Sequence, residues 1–222
     1  MSSPRIIGVL LLFSLVPARA DVSLHSQPPN RLFGISSDTE YIDDGGHLTG
    51  ALIADRFSLA QQLPTCRVVF YAFFGGTGVA DPGPPSGSET VRVKFYADAA
   101  GLPGSVLQEE SFSNPSRAWT GFFIGIQPSR KEYRYQVDLP QCFNATPGVN
   151  YWVEVSQLDD PSSLMRWENS NGGEFAVQFP LDTPWRLSAN PSQMAYDLRT
   201  PEPCSGALLV LSFACVVRRP AR

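Results

Sequence analysis

The run Val91-Arg-Val-Lys-Phe-Tyr-Ala-Asp98 narrows the possible folds of this chain more than any other stretch. Val91, Val93, Phe95 and Ala97 fall on one side and Arg92, Lys94, Tyr96 and Asp98 on the other, the period of two that marks a half-buried strand. A helix would scatter the same residues around its circumference. Directly after it, Ala99-Ala-Gly-Leu-Pro-Gly104 predicts a type II turn, with Pro103 presetting φ at its second position and Gly104 accepting positive φ at its third. Ser105–Ser111 then returns as the partner strand.

The same pattern recurs along the chain. Cys66–Phe74 is apolar almost throughout, as expected of a central strand buried on both faces. Ile53–Ala60 reads as an edge strand, and the Pro/Gly-rich stretch Val79–Ser88 as an exposed loop. Further strands are expected at Trp119–Gln127, Tyr133–Leu139, Tyr151–Gln157, Met165–Glu168, Phe175–Phe179 and Met194–Arg199. The 20 prolines and 18 glycines are dispersed between these runs, which favours many short strands over a few helices. The expectation is an all-β domain over residues 51–199: an antiparallel β-sandwich with jelly-roll or Greek-key connections. Residues 21–50 read as an extended, loop-rich segment packed on that domain.

Two apolar segments bracket the domain. At the start, Arg5, the run Ile6–Val16 and the small residues Ala18 and Ala20 have the order of a signal peptide over residues 1–20, cleaved before Asp21. At the end, Pro201-Glu202-Pro203 precedes an apolar stretch that stops at Arg218 and Arg219. Counted from Cys204 that stretch has 14 residues. As a helix it would reach roughly 21 Å, short of the ~30 Å hydrocarbon core. Arg218 and Arg219 would stay on the cytoplasmic side, and the prolines would hold the tripeptide extended on the other.

Pro201, Glu202, Pro203, the apolar run and the two arginines resemble, in that order, the PEP-CTERM sorting signal of bacterial secreted proteins, here residues 200–222. The resemblance implies processing by signal peptidase and a membrane-embedded exosortase, and transient membrane contact through a short C-terminal apolar helix. It also implies export to the cell surface or to an extracellular matrix of exopolysaccharide. The unit Phe95-Tyr-Ala-Asp-Ala-Ala-Gly-Leu-Pro-Gly104, with Ile53-Ala-Asp-Arg-Phe-Ser-Leu59 upstream, is similar to the β-sandwich ectodomains found ahead of such tails, which implies a fold but no activity.

Removing both terminal segments lowers the acidic count from 21 to 20 and the basic count from 17 to 12, so the net charge moves from −4 to −8. That balance argues against nucleic acid and anionic membrane as partners of the domain. Of the four cysteines only Cys66 and Cys142 remain, and in an oxidising compartment such a pair most simply forms a disulfide. A zinc site is not indicated, because the two cysteines and the distant His25 and His47 lack ligand spacing. Asp38, Glu40, Asp43 and Asp44, followed by Gly45-Gly46, offer oxygen ligands for Ca²⁺. Their spacing is not that of an EF-hand, since the twelfth position from Asp38 is Thr49, and the stretch reads first as a solvated loop. No cofactor is implied.

Catalytic motifs are absent: there is no Gly-x-Ser-x-Gly elbow, His-Glu-x-x-His helix or phosphate loop. Glu154, Glu168, Asp159 and Asp160 could supply a glycosidase acid and base, but any chain with 21 acids furnishes such pairs. Glycan binding has more to stand on. In Tyr151-Trp-Val-Glu-Val155, Trp152 and Glu154 share the face opposite Tyr151, Val153 and Val155, which pairs an aromatic ring with an acceptor, and Trp167 and Trp185 could contribute similarly. The competing reading places these tryptophans in or beside the core. The expectation is therefore a non-enzymatic, exported, surface- or matrix-associated protein. A carbohydrate-binding module for extracellular polysaccharide is the alternative, and a secreted hydrolase a minor one.

Overall fold

The computed structural model describes residues 21–36, 50–75, 83–85, 88–125, 130–158, 164–181, 183–189 and 192–201. Residues 22–200 form one compact unit; a second, residues 1–21 and 201–222, is described only at Asp21 and Pro201. The expected signal peptide with Ala18 and Ala20, the acidic stretch Asp38, Glu40, Asp43 and Asp44, and Glu202, Pro203, Arg218 and Arg219 lie outside the described residues, as do Asp159 and Asp160. Among the described residues no helix is long and apolar enough to cross a membrane.

The described chain is all-β. Its first seven strands are β1 (Asp21–Gln27), β2 (Gly34–Ser36), β3 (Leu52–Ser58), β4 (Pro64–Gly75), β5 (Thr90–Ala99), β6 (Leu102–Ser113) and β7 (Ser116–Ile124). The next seven are β8 (Arg130–Asn144), β9 (Asn150–Leu158), β10 (Leu164–Asn171), β11 (Phe175–Gln178), β12 (Arg186–Leu187), β13 (Ser192–Met194) and β14 (Tyr196–Pro201). They build two sheets. One has six strands in the order β12-β11-β3-β9-β5-β6; the other has eight, with β4 at its centre.

β4 pairs with β8 along one edge and with β14 and then β10 along the other. This is why its sequence is apolar on both sides: Val68, Phe70 and Phe74 enter the core, while Val69 and Phe73 are buried on the reverse. Strands of both sheets supply one continuous cluster, with Ile53, Phe57, Phe95 and Val153 from the first and Phe70, Tyr135, Trp167 and Tyr196 from the second. Phe95 stacks on Phe143 at 4.3 Å and Phe70 on Tyr135 at 4.7 Å. Each such ring withdraws enough apolar surface to contribute about 1.5–3 kcal/mol.

Cys66 and Cys142 are joined in a disulfide. It spans the place where the β4–β8 register slips between Thr65 and Arg67, so the covalent link ties the two strands where their ladder is interrupted. Cys142 lies within β8 rather than in a loop after it, because β8 runs on to Asn144.

Three expectations are corrected. The strand beginning near Ile53 is internal, not an edge: β3 lies between β11 and β9, and Ala54, on the face away from the core cluster, is buried as well. The described part of the segment 21–50, expected to be extended and loop-rich, contributes two strands, since β1 neighbours β14 and β2 pairs with β10. The turn after β5 is made by Ala100 and Gly101, both at positive φ (55° and 84°), and not by Pro103-Gly104, which already belong to β6. Ala99 pairs with Leu102, leaving a two-residue loop of the kind whose positive φ values match the strand twist. Asp98 steadies it by accepting the Gly101 N–H at 3.0 Å.

Candidate functional site

The six-stranded sheet turns Trp152 and Glu154 away from the main core, as the alternation of β9 requires. That face is not open to a sugar. Trp152 is fully buried in a second cluster with Ala54, Tyr96 and Ala176, against which Leu102 and Trp185 pack. Its indole N–H donates to Asp98 at 2.8 Å, and Trp185 meets Tyr96 edge-on at 5.8 Å. Glu154 is fully buried too. It accepts from the Tyr96 hydroxyl, from Arg92 at 3.0 Å and from Ser156 at 2.9 Å, and burial followed by the Glu154 charge pushes the Tyr96 hydroxyl well up. The proposed platform of Trp152, Glu154 and Trp185 is thus a polar-capped packing layer. Trp167 sits in the main core, with its N–H on the Ala195 carbonyl at 3.0 Å.

Nor can Glu154 and Glu168 act as a pair, because they lie on different sheets, each on the face turned from the main core. Glu168 instead meets Glu132. β8 and β10 flank β4, and both carboxyls are fully buried beneath residues Asn30–Phe33. This strap is bonded to β10 at both ends: Asn30 N–H donates to Asn169 O at 2.9 Å and Asn169 N–H to Phe33 O at 3.0 Å. At its centre Arg31, at φ 59°, donates its backbone N–H to Glu168 Oε1 at 2.7 Å and sets its Nε 3.3 Å from Glu132 Oε2. Arg31 thus meets one carboxyl through its guanidinium and the other through its backbone N–H. Burial first, then the charge of Glu132 and its hydrogen bond, raise the Glu168 pKa from 4.5 to about 9. Among the described residues no group of three or more His, Cys, Asp or Glu could hold a metal ion.

The exposed chemistry lies at the β7 edge. Trp119 pairs with Tyr133 and Phe123 with Lys131, so four steps on β7 oppose two on β8. The surplus Thr120-Gly-Phe122 bulges outward, with Gly121 at φ 90°, a conformation that glycine adopts without steric cost. Such bulges re-aim side chains. Here Trp119, Phe122 and Phe123 are left 51%, 49% and 52% exposed.

The bulge is held by its own hydrogen bonds. Thr120 Oγ1 accepts the Phe122 N–H and donates to Glu132 O, both at 3.3 Å, while Trp119 Nε1 donates to Phe122 O at 3.2 Å. The Trp119 and Phe123 rings stand 5.9 Å apart at 66°, and the Arg31 guanidinium lies 3.7 Å over the Phe122 ring.

This edge also concentrates positive charge. Between Ser116 and Gln136 the sequence carries Arg117, Arg130, Lys131 and Arg134 against Glu132 alone, in a chain of net charge −4. The register sets Arg117, Trp119, Phe123 and Lys131 on one side of the β7–β8 ribbon. Arg117 is anchored by Glu89 and by the Tyr135 hydroxyl at 3.3 Å; Lys131 is exposed.

The family model described as "Domain of unknown function (DUF7901)" matches residues 24–203. The chain belongs to the DUF7901 family. Its matched span begins within β1 and closes at the Pro-Glu-Pro tripeptide, which leaves the N-terminal apolar segment and the run after Pro203 outside it. No curated protein matches the chain.

Sequence reasoning passed over Trp119 and Phe123. The signal was present: a glycine inside a strand-like run marks a bulge or close approach, and Gly121 stands amid five apolar or aromatic neighbours in a locally basic stretch.

Proposed function

We propose that this DUF7901 chain is an exported, non-catalytic protein whose two sheets pack as a β-sandwich of jelly-roll or Greek-key type. It resides at the cell surface or in an extracellular polysaccharide matrix, and its C-terminal segment is the address that takes it there. The observation that carries this reading is the placement of the family span, which lies between two apolar segments with the composition of a leader and a PEP-CTERM-like tail. The Cys66–Cys142 disulfide supports it, since such bonds persist in oxidising compartments. Immunodetection in membrane, envelope and medium fractions of the host tests it. The parent chain is expected in envelope and medium, and the chain with Pro201, Glu202 and Pro203 changed to alanine is expected to stay in the membrane fraction. An identical distribution of the two would overturn the sorting role.

A second reading, that the domain binds polysaccharide, is favoured by the half-exposed Trp119 and Phe123 on a hydrogen-bonded bulge. A pyranose has one face of C–H groups that packs on an aromatic ring, with hydroxyls left at its rim for polar partners.

A further inference from the structure

We propose that the β7–β8 ribbon binds an acidic polysaccharide, with Trp119 and Phe123 stacking against sugar rings and Lys131 meeting a carboxylate beside them. This assigns a site and a ligand class to the polysaccharide-binding reading and rests on it.

Three observations converge on that ribbon. The first is preorganisation. The Trp119 indole N–H is already committed to the Phe122 carbonyl, so the ring has only its faces to offer and its rotamer is set before any ligand arrives. Fixing side chains in advance lowers the ordering cost that binding must overcome. Thr120, bonded both to Phe122 and to Glu132 across the ribbon, ties the bulge to β8.

The second is charge. Four cations and one anion lie between Ser116 and Gln136 in a chain with more acids than bases, and of the four Arg117 is paired with Glu89 from outside that stretch. The anion, Glu132, is fully buried beneath Arg31 and projects no charge outward. Lys131 stands directly across from Phe123, and Arg117 lies on the same side as Trp119, two residues before it. An aromatic pair with an exposed lysine across from one ring, Lys131 opposite Phe123, matches a sugar chain bearing carboxylates better than a neutral glucan. At an exposed site water weakens such an ion pair, so it gives preference and salt sensitivity, while the rings supply most of the affinity.

The third is shape. The two rings are inclined at 66°, as suits consecutive units of a polymer that turns between residues. Bases of a single nucleic-acid strand stack on successive aromatic platforms along a basic groove, and inclined rings at a strand edge serve them less well.

The test uses the full chain in affinity gel electrophoresis and titration calorimetry against polygalacturonate, neutral dextran and a single-stranded DNA oligomer. The parent is expected to bind polygalacturonate over dextran and DNA, with affinity falling as salt rises from about 50 to about 500 mM. Trp119→Ala and Phe123→Ala should each raise Kd by about tenfold, equivalent to about 1.4 kcal/mol. Trp119→Phe should restore much of the loss, and Lys131→Ala should weaken polygalacturonate binding while leaving dextran unchanged. Leu107→Ala, at another exposed apolar position, should change nothing, and an unaltered thermal midpoint in each variant excludes unfolding as the cause.

If the parent binds neither polysaccharide, the polysaccharide-binding reading falls and this site with it. If it binds polygalacturonate and the ring variants bind equally well, that reading stands and this site is wrong. Equal affinity for dextran, insensitive to Lys131→Ala, removes the acidic assignment, and tighter binding of DNA overturns the ligand class.

Discussion

Changing Glu168 to glutamine should remove a pH-dependent weakness built into the fold. In the native protein Glu168 holds its proton up to about pH 9, whereas its ordinary value is 4.5. Between these limits the unfolded chain releases a proton that the folded chain retains. Stability from this group is therefore complete below about pH 4.5, falls by about 1.36 kcal/mol per pH unit as pH rises, and levels off above about pH 9. From pH 5 to pH 7 the loss is about 2.7 kcal/mol, two units at that slope. Glutamine keeps an oxygen for the Arg31 N–H and does not titrate. Urea denaturation of the parent and Glu168→Gln at pH 5 and pH 7 measures the difference directly, because groups common to both proteins cancel. The stability gap should move in favour of the variant by about 2–3 kcal/mol between those pH values. A gap that does not change with pH would refute the raised titration of Glu168.

Three further outcomes follow from the packing. Cys66→Ala with Cys142→Ala releases a link between residues 76 apart and should lower unfolding free energy by about 4 kcal/mol, measured by denaturation under non-reducing conditions. Gly34→Ala would place a Cβ 2.5 Å from the Trp167 carbonyl and 2.7 Å from Phe73. It should cost about 1–3 kcal/mol by overpacking and appear as a lowered thermal midpoint. Trp152→Ala should cost about 3–5 kcal/mol as a buried aromatic lost from a packed cluster, yet leave the polygalacturonate affinity of the folded fraction at the parent value.

Local sequence carries some of this structure and not the rest, for physical reasons visible in particular residues. The faces of β5 and β9 are legible because alternation is a local property: Val93 and Phe95 enter the core and Trp152 and Glu154 turn away from it. What lies over the second face is not legible, because Trp185 and Leu102 reach it through the sheet order rather than through sequence proximity. The strands β1 and β2 carry little signal of their own and exist because β14 and β10 offer unpaired edges more than a hundred residues away. Ala100-Gly101 prevails over Pro103-Gly104 because the ladder of β5 with β6 sets the register, and only a two-residue loop then fits. Glu132 and Glu168 are unremarkable in sequence and become a buried carboxyl pair only because β8 and β10 flank the same strand. At the β7 edge the bulge interrupts the alternation that sequence reading relies on, which is where the exposed rings are found.

The sorting reading is tested most directly by the intact mass of the protein recovered from the envelope and medium of its host. A mature species that begins at Asp21 and ends near Pro203, absent when Pro201, Glu202 and Pro203 are alanine, is the predicted result. Masses that extend through Arg222 in both versions would contradict it.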